Sequence, residues 1–81
     1  MWIRRYDGSL INIEKFDMIS IELVANKYRV SAWYGYKSVI LAAYKEEKQA
    51  EEAKIAIFCS MKKGDKTMTM PYCVTDYGED I

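Results

Sequence analysis

The chain has 81 residues and a formal net charge of zero, with half its residues hydrophobic and 14% aromatic. That balance excludes an intrinsically disordered chain and argues against a dedicated, strongly basic nucleic-acid binder. No apolar run approaches the ~18 residues a membrane span needs, and the length allows one small domain that self-association would help to stabilise.

In chain order, Trp2-Ile-Arg-Arg5 reads as a short strand, Asp7-Gly8 as a tight turn, and Leu10-Ile-Asn-Ile13 as the returning strand. Glu14-Lys-Phe-Asp17 is a turn into the central ribbon. Three strands follow: Met18–Val24, Tyr28–Tyr34 and Ser38–Tyr44. The first alternates Ile19, Ile21 and Leu23 with Ser20 and Glu22, and the second alternates Tyr28, Val30, Ala32 and Tyr34 with Arg29, Ser31 and Trp33. The linkers Ala25-Asn-Lys27 and Gly35-Tyr-Lys37 are short enough to force antiparallel neighbours. From about Glu46 to Lys63 alanine, glutamate and lysine dominate, which predicts the single helix, stopped by Gly64. Its stripe of Ala50, Ala53, Ile57 and Met61 is the expected cover for the sheet. Lys66–Met70 reads as a last strand, which Pro71 ends.

The expected fold is therefore α+β: a twisted antiparallel β-meander of five or six strands with one helix packed across it. Residues 1–71 form a single α+β domain, and residues 72–81 form an acidic C-terminal tail. Residues 1–45 carry seven Lys/Arg against four acids, whereas 64–81 carry Lys66 alone against Asp65, Asp76, Glu79 and Asp80. A basic sheet half and an acidic tail would attract each other or present two different surfaces. Tyr72, Val74 and Tyr77 are the tail's apolar residues.

There is no histidine, which removes the commonest general base and metal ligand near neutral pH. No phosphate-binding glycine loop or nucleophile motif is present, and Cys59 and Cys73 stand in no metal-ligand spacing. An enzyme is not expected, nor is a metal or a cofactor. With no secretory signal at the N-terminus, both cysteines are expected as reduced thiols.

Three clusters are candidate sites. Tyr28, Arg29, Trp33 and Tyr36, beside Tyr34, Lys27 and Lys37, offer rings for stacking on nucleobases and cations for phosphate. The alternative is that Tyr28, Val30 and Tyr34 are core and Trp33 packs on a neighbouring strand. Trp2, Arg4 and Arg5, with Tyr6, suit planar anions, or else are solvated edge-strand residues that oppose aggregation. Finally, Ile55–Met61 is apolar nearly all round. Ile55, Phe58, Cys59 and Met61 are candidates for self-association, the alternative being burial under the tail.

The opening Met1-Trp-Ile-Arg-Arg-Tyr-Asp-Gly8 with Leu10-Ile-Asn12 resembles that of small uncharacterised proteins of Gram-positive bacteria and their phages, which share an "MWIR…DG…LVN" start. Tyr44-Lys-Glu-Glu47 and Gly64-Asp-Lys66…Met70-Pro71 extend the likeness over residues 1 to 71. The resemblance implies a cytoplasmic location and a phage or mobile-element origin. By analogy with non-catalytic phage proteins it implies counter-defence by occupying a host enzyme or a signalling nucleotide. The leading expectation is a non-catalytic homo-oligomer that sequesters a small nucleotide-type ligand. The alternative is a protein-protein inhibitor that occupies a host enzyme. At zero net charge nucleic acid is not the expected partner, and no membrane is expected.

Overall fold

Two periodicities dictate the architecture: alternation through residues 18–34, and a helical repeat from residue 47. The computed structural model describes residues 1–71. It contains β1 (Trp2–Arg4), β2 (Leu10–Asn12), a 3-10 turn (Ile13–Lys15), β3 (Met18–Val24), β4 (Lys27–Tyr34), β5 (Lys37–Tyr44), α1 (Glu47–Lys63) and β6 (Thr67–Thr69). The fold is α+β, and a three-stranded antiparallel meander β3-β4-β5 packs against the helix.

The six strands do not form one sheet. β2, β1 and β6 make a second three-stranded sheet in which β6 runs parallel to β1, with Ile3 beside Met68. A parallel neighbour requires a long crossover, and here the meander and the helix together supply it. The acidic tail, with Tyr72, Cys73, Val74 and Tyr77, lies outside the described residues.

Within the meander, Ala25 and Asn26 both take positive φ, as the favoured two-residue hairpin turn demands. Seven consecutive pairs from Met18–Trp33 to Val24–Lys27 then hold β3 to β4 without interruption. The β4–β5 ladder shifts between Val30 and Ser31: Ser31 pairs with Ile40, Val30 with Ala42, and Leu41 is the extra residue. That bulge explains why the apolar run Val39–Ala43 shows no strict alternation.

On the helix, Ala50, Ala53 and Ile57 are buried against Val30, Ala32, Ala42 and Tyr44. The small residues let the helix backbone come close to the sheet, and Ile57 fills the space between. Met61, predicted for the same stripe, is instead half exposed. The helix starts with Gln49 accepting a hydrogen bond from the Glu46 backbone N–H, a local substitute for the missing Ser/Thr cap. It ends at Gly64 in the left-handed conformation. Ile3, Ile13 and Met70 extend the same core towards the small sheet.

Candidate functional site

β4 has two faces and two ends, and they separate the residues of the aromatic hairpin. Tyr28 lies on the helix side, half-buried against the core. Arg29 and Trp33 lie on the opposite face with Ser31 and, across the ladder, with Glu22, Ser20 and Met18. On that face the Trp33 indole N–H donates to Ser20 Oγ at 2.7 Å, and Ser31 Oγ donates to Glu22 Oε1 at 3.1 Å. Two separate polar links thus cross this face, Ser31 being buried, and Trp33 is held in it by its own hydrogen bond. Tyr36 sits at the tip of the β4–β5 turn, 88% exposed.

The second cluster divides as well. Trp2 and Arg4 flank the buried Ile3 on the outer face of the small sheet, opposite Asn12 and Leu10. Arg5 turns the other way. Its Nε donates to the Ile40 carbonyl at 2.7 Å and its Nη1 to Ser9 Oγ at 2.9 Å, while the Tyr6 N–H donates to the Leu41 carbonyl. Arg5 is a strut between the first hairpin and the edge of β5. Trp2 and Arg4 therefore belong to one sheet and Arg29 and Trp33 to the other, so the two candidate clusters do not merge into one grip.

The Arg5 strut carries a pH-dependent element. Ser9 donates to Asp7 Oδ1 through its hydroxyl at 2.6 Å and through its backbone N–H at 3.0 Å, with Arg5 3.7 Å from the other oxygen. The Ser9 hydroxyl first, then its N–H, hold the Asp7 carboxyl below its ordinary 3.8, with a smaller pull from Arg5. A depressed folded value means a contribution to stability that is present above the unfolded value and fades as pH falls through the folded one. Replacing Ser9 by Ala is expected to raise the Asp7 pKa in an NMR titration. An unchanged midpoint would show that the hydroxyl is not the cause.

Three of the four stripe residues fall where the wheel puts them, and Met61 does not. Ile55 and Phe58 are about 60% exposed, and Cys59 is exposed too; Ile55 and Cys59 point away from Ala50, Ala53 and Ile57, whereas Met61 is half exposed at the end of the stripe those three begin. The Lys62 ammonium sits 5.5 Å from the centre of the Phe58 ring.

A groove that sequence reasoning did not assemble lies at the Gly35 end of the hairpin. Tyr34 and Lys37 face each other across β4 and β5, and Val39 is next along the same side. The 3-10 turn swings Lys15 and Phe16 beside them, and the five residues line a space of about 640 Å³ that contains no residue of α1. Its floor is ring and aliphatic surface, and both charged side chains in its lining are ammonium groups. The loop is pinned nearby: Asp17 donates its N–H to the Trp33 carbonyl at 2.7 Å and accepts the Gly35 N–H at 3.0 Å. A signal for Tyr34 and Lys37 existed, since strand parity and a two-residue turn place them together. Nothing in the sequence placed Phe16 over them.

Among the described residues no three His, Cys, Asp or Glu side chains converge on a common point, and no helix is long and apolar enough to cross a membrane. Comparison of the chain with protein-family models, curated proteins and solved structures found no match.

Proposed function

We propose that this is a non-catalytic binding protein that holds a flat, anionic, nucleotide-type ligand, and that it works as a homo-oligomer. The observation that carries the reading is the groove with Phe16, Tyr34 and Val39 as its floor and Lys15 and Lys37 in its lining. Its volume is within the ~300–1,000 Å³ of small-molecule sites. An aromatic ring offers about 1–3 kcal/mol per stacked base, and two ammonium groups supply the charge a phosphate needs. On this reading the ligand sits not on the face of Arg29 and Trp33 but on the opposite face of the same hairpin, at its Gly35 end. With the phage-type resemblance, the ligand would be a signalling nucleotide taken up in counter-defence.

The protein is expected to gain thermal stability with a cyclic or adenine-containing nucleotide, by about 10–20 °C at a hundredfold excess over Kd. Tyr34→Ala and Lys37→Glu should each abolish the gain, whereas Arg4→Ala and Trp33→Ala, on other faces, should leave it. Flat melting curves across a broad nucleotide panel would end the reading. One observation favours a protein-protein inhibitor instead: Tyr36 and Tyr34 project from the tip with 88% and 64% of their surface exposed. On that reading a host protein would co-purify with the chain and be lost on Tyr36→Ala.

A further inference from the structure

Sheet edges invite pairing, and most of the edges here are blunted. β2 and β6 are three residues long, and short edges are poor templates. The free side of β5 is occupied near its middle by the Arg5 side chain on the Ile40 carbonyl and by the Tyr6 N–H on the Leu41 carbonyl. β3 has no such protection. It is seven residues long, unbulged, free of proline and lysine, and carries one charge, Glu22. Among the described residues no backbone hydrogen bond reaches its outer side.

Turn geometry says which backbone groups that side presents. A two-residue turn closes with a hydrogen-bonded pair, here Val24 and Lys27, and such pairs alternate along the ladder. Ile19, Ile21 and Leu23 therefore direct their N–H and C=O groups away from β4. These are also the residues whose side chains point to the helix face, so pairing there would extend the hydrogen-bond ladder and an apolar layer together.

We propose that two copies of this chain join along β3, antiparallel about a two-fold axis at Ile21, so that the two meanders become one continuous sheet. In that register Ile21 meets its own equivalent, and Ile19 meets Leu23 of the partner subunit. On the other face Met18 meets Val24 of the partner subunit, and Ser20 meets Glu22 of the partner subunit. The strand is thus complementary to itself: apolar residues face apolar ones, and the Glu22 carboxylate faces a hydroxyl rather than another carboxylate. The same contact covers Met18 and Leu23, which are more than half exposed in the single chain. An isologous contact of this kind closes at two copies, so it does not grow into a fibre. The inference stands apart from the ligand reading.

The test is light scattering on the full chain over a range of concentrations. The expected mass is twice the 9.5 kDa of one chain. Leu23→Pro should return it to one chain, because it deletes an N–H that β4 does not use, at an exposed position where a proline is tolerated. Leu23→Lys, which keeps the backbone intact, should weaken the dimer about tenfold or more and decides the matter if the proline variant fails to fold. Ile55→Glu, on the outward side of α1, should leave the mass unchanged. A single-chain mass at millimolar concentration overturns the proposal. So does any larger mass that survives both Leu23 variants, or one that Ile55→Glu alone abolishes.

Discussion

Ile57→Ala is expected to cost about 2–5 kcal/mol of folding free energy, whereas Ile55→Ala, two residues earlier on the same helix, is expected to stay within about 0.5 kcal/mol. Ile57 is fully buried in one core with Ala50, Ala53 and the sheet residues Val30 and Ala42. Ile55 is 58% exposed on the opposite side. A domain of this size holds only roughly 4–12 kcal/mol in all, so losing Ile57 leaves a chain near its folding limit. Urea unfolding reads both variants, and an unchanged slope would confirm that stability, not the unfolded state, had moved. Equal losses at the two positions would mean that the helix face is assigned wrongly.

Arg5→Ala is expected to be the second large loss, about 2–3 kcal/mol, against less than about 0.5 kcal/mol for Arg4→Ala. The reason is one carbonyl. Ile40 sits beside the β5 bulge and receives the Arg5 Nε at 2.7 Å, a partly buried, charge-assisted bond between residues 35 apart in sequence. Removing the guanidinium leaves that carbonyl without its donor and releases Ser9 from its contact with Nη1. Arg5→Lys should recover little, because an ammonium cannot serve Ile40 and Ser9 at once with the planar fork's geometry. The comparison is read as the difference between urea midpoints of the Arg4 and Arg5 variants. If Arg4 proved the costlier, the strut would be ruled out.

These two pairs of neighbours also mark how far the chain can be read without coordinates. Ile55 and Ile57 were separated correctly on the helical wheel, because a period of 3.6 is a local property that needs no partner to be known. Arg4 and Arg5 were not separated. Both look alike in a basic, aromatic opening, and only the path of the chain after β1 sends one to solvent and the other onto β5. The same holds for β4: alternation told which residues share a face with Trp33, but not which face the helix would cover. The bulge at Leu41 adds a residue to β5 without any glycine or proline to announce it. Phe16 reached the groove through a 3-10 turn where only an unspecified turn was expected.

By itself the sequence determined five or six strands, the helix with Ala50, Ala53 and Ile57 of its stripe, the short linkers that make the meander antiparallel, and the lack of any histidine. Each of these follows from side chains within a few positions of one another. Tertiary structure decided that the strands split into two sheets with β6 parallel to β1, that Arg5 braces one sheet on the other, and that Lys15 and Phe16 meet Tyr34 and Lys37. Those contacts join residues about 20 to 65 positions apart, and their geometry depends on how whole elements pack, which no local period records.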